Sequence, residues 1–380
     1  MIPVRRLATS VVVLTALTAW SSTSSAILNG RPSGEDENAA VYIETSGVDD
    51  LGKPSLLRCS GRIIAPALVV TARHCLLKRR SEDVRCNPDG TPIDVTEETN
   101  VVLEPPQAVT VYIGAQRSSA RTVTVKDIFS ELQSSVCRSD IAFITLTEPG
   151  LDTRTPLRRA QPRLSESVSI TGWGYTSDAQ AAQKTLPDTR STIEKPITQT
   201  GPGLIPPDAF AIGGNSTCLG DSGASALADG ALLGVYSRID VPGQCELETN
   251  RSIFTWVAAH LDLANIAYAA IGETPWFEDE RPPWLARAGT ACTSDQACSS
   301  ALCDKTTSTC AAPCGAAGLA CTAGKTCSAD QTCIDSPPPP SPAADDGGCT
   351  TSNAKTSPFS ALLVAAALGC AIRRRRRPNY

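Results

Sequence analysis

Sixteen cysteines in a chain of 380 residues, eight of them crowded between Cys292 and Cys333, constrain this sequence more than any other feature. Cysteines at that density belong to an oxidising compartment, where they persist as disulfides. The crowded stretch holds almost no large apolar residue, so it cannot fold around a core and disulfides must hold it. Zinc is the rival reading. It fares worse because the stretch has no histidine and no C-x2-C pair. The N-terminus agrees with export. Arg5 and Arg6 precede an apolar stretch, Leu7 to Trp20, and Ser24-Ser25-Ala26 supplies the small residues a signal peptidase needs. Residues 1–26 are therefore expected to be a signal peptide, with a retained anchor as the alternative.

The remainder divides by composition. Residues 27–275 read as one β-rich domain. Short apolar or alternating runs recur between turn signals at Arg62–Ala65, Ala67–Ala72, Val109–Ala115, Ile141–Leu146, Val168–Gly174 and Ala231–Ser237. That rhythm predicts an all-β barrel or sandwich. With aromatics at only 4%, its core must rest on Val, Ile, Leu and Ala. One helical stretch, from Thr255 to about Ala270, closes the domain. Residues 276–290 form a linker around Pro282 and Pro283. The eight-Cys module spans 291–335, and 336–348 is a proline-rich spacer.

The tail, 349–380, follows Gly347-Gly348-Cys349. It carries a Ser/Thr-rich spacer, an apolar helix over Phe359–Ile372 and the arginines Arg373 to Arg377. The apolar run is short for a full span, and the arginines favour the cytoplasmic side. This tail resembles the MYXO-CTERM sorting tails of myxobacterial surface proteins. The resemblance implies C-terminal processing by export machinery, then display at the cell surface or outer membrane, or release to the medium. A permanent short anchor would give the same surface location. The two ends hold eight of the 34 Lys and Arg and none of the 39 acidic residues, so residues 27–348 carry a formal −13. That balance argues against nucleic-acid binding.

Three segments carry chemistry. The chain has two histidines. His260 lies in the closing helical stretch, where an amphipathic surface role is expected. His74 ends the apolar run Val69-Val70-Thr71-Ala72-Arg73-His74-Cys75 and is the candidate general base. In Cys218-Leu219-Gly220-Asp221-Ser222-Gly223, the Ser222 hydroxyl is a nucleophile that needs such a base. The tight turn at Gly220 lets the amides of Gly220 and Ser222 point together as an oxyanion hole. Asp140 leads directly into the apolar run from Ile141. A buried carboxylate there needs a partner, and an imidazole N–H suits it.

The segments Ala72-Arg73-His74-Cys75, Asp140-Ile141-Ala142, Thr171-Gly172-Trp173-Gly174 and Gly220-Asp221-Ser222-Gly223 resemble, in order, the motifs of the trypsin/chymotrypsin family of serine proteases. The resemblance covers nearly all of 27–265. It implies two six-stranded antiparallel β-barrels with a C-terminal helix, a cleft between them, and His74, Asp140 and Ser222 as catalytic triad. It implies disulfides Cys59–Cys75 and Cys218–Cys245, leaving Cys86–Cys137 as the remaining pair. It implies an activation pair in which a new amino terminus at Ile27 meets Asp221. Ile27 follows the expected signal-peptidase site, so export itself would create that terminus.

The same resemblance implies that Ser216 falls at the pocket base, Ser237 against the substrate backbone, and Ile239 and Ser252 on the pocket walls. A serine in place of an acid at the base disfavours Lys or Arg at P1 and points to small or medium apolar side chains such as Ala or Val. Arg238 stands where the family usually has tryptophan. The substrates expected are proteins or peptides, with no metal or cofactor and no indication of oligomeric state. The competing class is an inactive protease-like binding protein that uses the eight-Cys module for recognition. Acidic residues within Asp94–Glu104 could attract calcium but read as a solvated loop, and Asn215-Ser216-Thr217 matches a glycosylation acceptor that overlaps the pocket.

Overall fold

The computed structural model describes residues 26–310 apart from 35–36, 49–51, 79–85, 88–89, 94–101, 132–134, 185, 201–204, 215, 241–242, 281, 283–284, 286–288, 295–296 and 299–302, together with 321, 325–327 and 333–335. The expected signal peptide up to Ser25, the proline-rich spacer, the sorting tail, Asn215 and most of the acidic loop lie outside the described residues. Among the described residues, no helix is long and apolar enough to cross a membrane.

Two closed six-stranded antiparallel barrels fill residues 40–256. The first uses β2 (Ala40–Val48), β3 (Pro54–Ala65), β4 (Leu68–Thr71), β5 (Val109–Ile113), β6 (Arg121–Ser130) and β7 (Ala142–Leu146), in the order β2-β3-β4-β7-β6-β5, with β5 returning to β2. Its β5 alternates buried and half-buried residues, Val109, Val111 and Ile113 pointing inward, as a barrel stave must. The second uses β8 (Ser167–Gly172), β9 (Ser191–Thr200), β10 (Ala209–Gly213), β11 (Ser225–Ala228), β12 (Ala231–Ile239) and β13 (Arg251–Trp256). Their order is β8-β9-β10-β13-β12-β11, closed by β11 on β8, and the short β1 (Arg31–Pro32) pairs with β9.

Each barrel has its own aliphatic core. Ile43, Ile63, Val69, Val111 and Phe143 fill the first, and Ile170, Ile212, Leu233, Phe210 and Phe254 fill the second. Phe210 and Phe254 stack with ring centroids 5.2 Å apart. Each fully buried phenylalanine of this kind contributes about 1.5–3 kcal/mol.

The chain then runs back to the first barrel. A 3-10 turn, Val257–His260, leads into α2 (Leu261–Ala270), whose Leu263, Ala267 and Tyr268 join the first core. Tyr268 donates to the Ile64 carbonyl at 3.3 Å. A shorter helix, α1 (Asp178–Gln183), starts at Ser177, whose hydroxyl accepts the Gln180 amide. Helical structure begins later than the sequence suggests, because Thr255 and Trp256 complete β13 opposite Val235 and Gly234. His260 is buried rather than on an amphipathic surface: its Nδ1 lies 2.9 Å from Glu131. The helical face seen from sequence continues inward onto the first barrel, and the histidine goes with it.

Beyond residue 288 two short hairpins appear, Cys303–Asp304 with Thr309–Cys310 and Lys325–Cys327 with Cys333–Asp335. Disulfides Cys292–Cys303 and Cys298–Cys310 close the first, and Cys321 and Cys327 are also oxidised. The four sulfurs form the small core of this region with Ala297 beside them.

Candidate active site

The site begins where β4 ends. Four buried residues, Leu68–Thr71, leave Ala72 extended and the chain coiling into a 3-10 turn, Arg73–Leu76, that carries His74 inward. Asp140 precedes β7, which pairs with β4 through Thr71 and Ala142. That register brings aspartate and histidine together. The His74 amide donates to Asp140 Oδ1 at 2.9 Å, and Nδ1–H of the ring donates to Oδ2 at 2.8 Å. A third donor comes from the other barrel: the Ser237 hydroxyl reaches Oδ2 at 2.6 Å.

Asp140 is essentially inaccessible. Burial alone would raise its pKa, but the His74 charge and the bonds from His74 and Ser237 outweigh it and hold the carboxyl below its ordinary range. The imidazole therefore has one tautomer available: Nδ1 carries the proton and Nε2 is left as an acceptor.

Ser222 lies in the loop between Cys218 and β11. Gly220 and Gly223 both have φ of +87°, which a side chain would strain. The Gly223 position is also crowded by the Ser60 carbonyl and Thr71, so the loop presses directly on the first barrel. The Ser222 carbonyl accepts the Ser60 amide at 2.7 Å, the Ser60 hydroxyl donates to the Gly220 carbonyl at 3.0 Å, and the Ser60 Oγ accepts the Trp173 amide at 2.9 Å. Cys75 Sγ sits 4.0 Å from His74 Nε2 and 3.6 Å from the Ser222 carbonyl oxygen, so the basic nitrogen and the serine backbone meet the same sulfur. Within the loop, the amides of Asp221, Gly223 and Ala224 are bonded to Cys218, Tyr236 and Asp221. Those of Gly220 and Ser222 donate to nothing among the described residues. Two unoccupied donors in one turn, one of them the serine's own amide, can receive an anionic oxygen.

Disulfides Cys59–Cys75, Cys86–Cys137 and Cys218–Cys245 frame this arrangement. Asp221 is fully buried and has, among the described residues, two donors, the amides of Gly174 at 2.7 Å and Cys218 at 2.9 Å. Burial pushes its carboxyl up to about 7 against those two bonds. Ile27 is inaccessible, has φ of +59°, and packs in the cluster that includes Cys218 and Ala224, the residues around Asp221.

The remaining residues singled out from sequence cluster along β12, β13 and the strand before Cys218. Ser216 is buried and turns its hydroxyl onto the Gly213 and Gly214 carbonyls. Ser252 pairs with Thr217 at 2.7 Å, and Ile239 sits opposite Ser252 in the ladder. The Ser237 side chain is engaged with Asp140; only its backbone is left for a ligand. Sequence reasoning missed Ser60 and the buried Arg73. Ser60 follows Cys59 and nothing else marks it. Arg73 stands inside the His74 motif, and nothing in that motif marks it as buried.

The sequence model of the Trypsin family matches residues 38–264. A trypsin of Saccharopolyspora erythraea is 26% identical over 193 residues, which cover 47% of this chain and 74% of that protein. Trypsin Blo t 3 of Blomia tropicalis is 25% identical over 202 residues, covering 47% of this chain and 66% of that protein.

Proposed function

The chain belongs to the trypsin family of serine proteases, and from that footing we propose that it is an exported endopeptidase that cleaves peptide bonds through an acyl-enzyme on Ser222. The observation that carries the reading is the doubly hydrogen-bonded His74–Asp140 pair, buried beside the Ser222 loop. In this reading His74 Nε2 takes the Ser222 proton as Oγ attacks the substrate carbonyl. The carbonyl oxygen becomes an oxyanion held by the Gly220 and Ser222 amides. His74 then returns the proton to the leaving amine, and water repeats the sequence to free the acid. Asp140 keeps Nδ1 protonated and stabilises the imidazolium. One oxyanion donor is worth about 10²–10³ in turnover.

Asp221 supports an activation step at Ile27. A buried carboxylate with two amide donors and no cation is costly. An Ile27 ammonium freed by cleavage after Ala26 would supply the missing charge. Ala26 is where the signal peptide is expected to end, so export would produce the active terminus without a separate propeptide. N-terminal sequencing of active secreted enzyme should begin at Ile27; a start well upstream overturns this step.

The hydroxyls of Ser216, Thr217 and Ser252 are satisfied within the wall and offer no charge. They support small or medium apolar P1 residues. Cleavage of a diverse peptide library should fall mainly after residues such as Ala or Val, and cleavage mainly after Lys or Arg would overturn the preference. The eight-Cys region serves as a protease-resistant spacer between the catalytic domain, 27–275, and a sorting tail that places the enzyme at the cell surface.

A further inference from the structure

Arg238 follows Ser237 on β12, and its guanidinium turns back so that Nη1 lies 3.3 Å from the Ser237 oxygen. That oxygen is itself 2.6 Å from Asp140 Oδ2. A serine hydroxyl has one proton and two lone pairs, a guanidinium can only donate, and an ionised carboxylate can only accept. These three facts fix the direction of every bond. Arg238 donates to Ser237, Ser237 commits its single proton to Asp140, and Asp140 receives Nδ1–H of His74. Remove the arginine and the hydroxyl loses the partner that orients its lone pair.

The local backbone makes this possible. The β12–β13 ladder pairs Tyr236 with Phe254 and then Arg238 with Ile253, so Ser237 is an extra, bulged residue. A bulge re-aims side chains. Here it lets the Arg238 guanidinium reach the hydroxyl of its neighbour Ser237, which in turn reaches Asp140. Arg238 is desolvated, which disfavours its charge, while Asp140 and the more exposed Asp240 favour it. Asp240 is already engaged by Arg251.

We propose that Arg238 is a positioning residue for the triad: it acts through Ser237 to hold Asp140 ionised and correctly oriented toward His74. The proposal rests on the serine-protease reading. The rival is that the half-buried guanidinium simply contacts an acidic side chain of the substrate.

A double-mutant cycle with a spectroscopic arm separates these. In the mature enzyme, with active sites counted by phosphonate titration, Arg238→Met should lower kcat about three- to tenfold and leave KM within about twofold. Arg238→Lys should restore most of the loss. In a Ser237→Ala background the same substitution should cost less than about twofold, because the link is already cut. The acid limb of kcat/KM should move to higher pH in Arg238→Met. A cation near the Asp140–His74 pair disfavours the imidazolium, and Arg73, the other cation coupled to Asp140, is unchanged.

The low-field proton resonance of His74 Nδ1, distinguished from His260 with a His260→Gln variant, should shift in Arg238→Met and stay put when Arg238→Met is added to Ser237→Ala. This resonance needs no turnover, so it tests the link even if the protease reading fails. An equal loss in both backgrounds, a loss confined to KM for peptides with acidic residues, or an unmoved resonance would overturn the proposal.

Discussion

Two buried aspartates, Asp140 beside the Ser222 loop and Asp221 within it, are treated by the molecule in opposite ways. Asp140 has three donors, one of them an imidazole, and stays charged below its ordinary range. Among the described residues Asp221 has two backbone amides and no cation, and burial lifts it to about 7. Desolvation acts on both, so the difference lies in the partners. In the proposed mechanism Asp140 works in every turnover and its charge is compensated within the folded chain, whereas Asp221 is left short of one positive charge until the proposed processing at Ile27.

The sharpest way to probe the contrast is at Asp140. Asp140→Asn should keep the fold and lower kcat by about 10⁴-fold, the scale set by this family's mechanism, because the histidine tautomer is no longer enforced. Single-turnover acylation of the mature enzyme measures it.

Asp221 should answer differently in the two forms of the chain. In enzyme beginning at Ile27, Asp221→Asn strands the new ammonium and should cost on the order of 3–5 kcal/mol. In a chain still carrying Ala26, the same substitution removes an uncompensated charge and should stabilise. Denaturant unfolding of the four proteins tests the change of sign; a loss of stability in both forms would break the comparison.

pH gives a third handle. With Ala26 attached, folded Asp221 binds its proton more tightly than the unfolded residue at 3.8. Stability present in acid should therefore decline as pH rises from 3.8 to about 7, by up to about 4 kcal/mol. Asp140 acts with the opposite sign: its contribution is present above its unfolded pKa and is lost only as pH falls through its depressed folded value. Processing at Ile27 should remove the Asp221 decline. A smaller effect is expected at Ser237→Ala, which removes one of three donors to Asp140 and should lower kcat about tenfold, no less than Arg238→Met does.

The sequence carries this contrast unevenly. Apolar runs such as Leu68–Thr71 and Ala142–Leu146 are strands because they are buried throughout, and β4 and β7 read plainly. β6, with Arg121, Lys126 and Asp127 facing outward, and β9, which contains Glu194, Lys195 and Pro196, have no such run. Pro196 is tolerated because the β8–β9 pairing ends there and the β9–β10 ladder shifts register just beyond. The serine, histidine and aspartate are legible as motifs because glycines and strand ends fix their surroundings.

Their supporting residues are not legible in the same way. Ser237 meets Asp140 across the two barrels, 97 residues apart in the chain, and it does so through a bulge that no local pattern announces. Arg73 and His260 are polar residues taken inside by partners on distant segments, which composition cannot foresee.

The central claim is that the buried His74–Asp140 pair turns Ser222 into a nucleophile. Intact-mass analysis after exposure to a fluorophosphonate tests it directly. Mature enzyme should gain one adduct, mapped to Ser222, and Ser222→Ala and His74→Ala should gain none on that time scale. A folded, correctly processed protein that stays unlabelled, or is labelled equally without His74, would contradict the account.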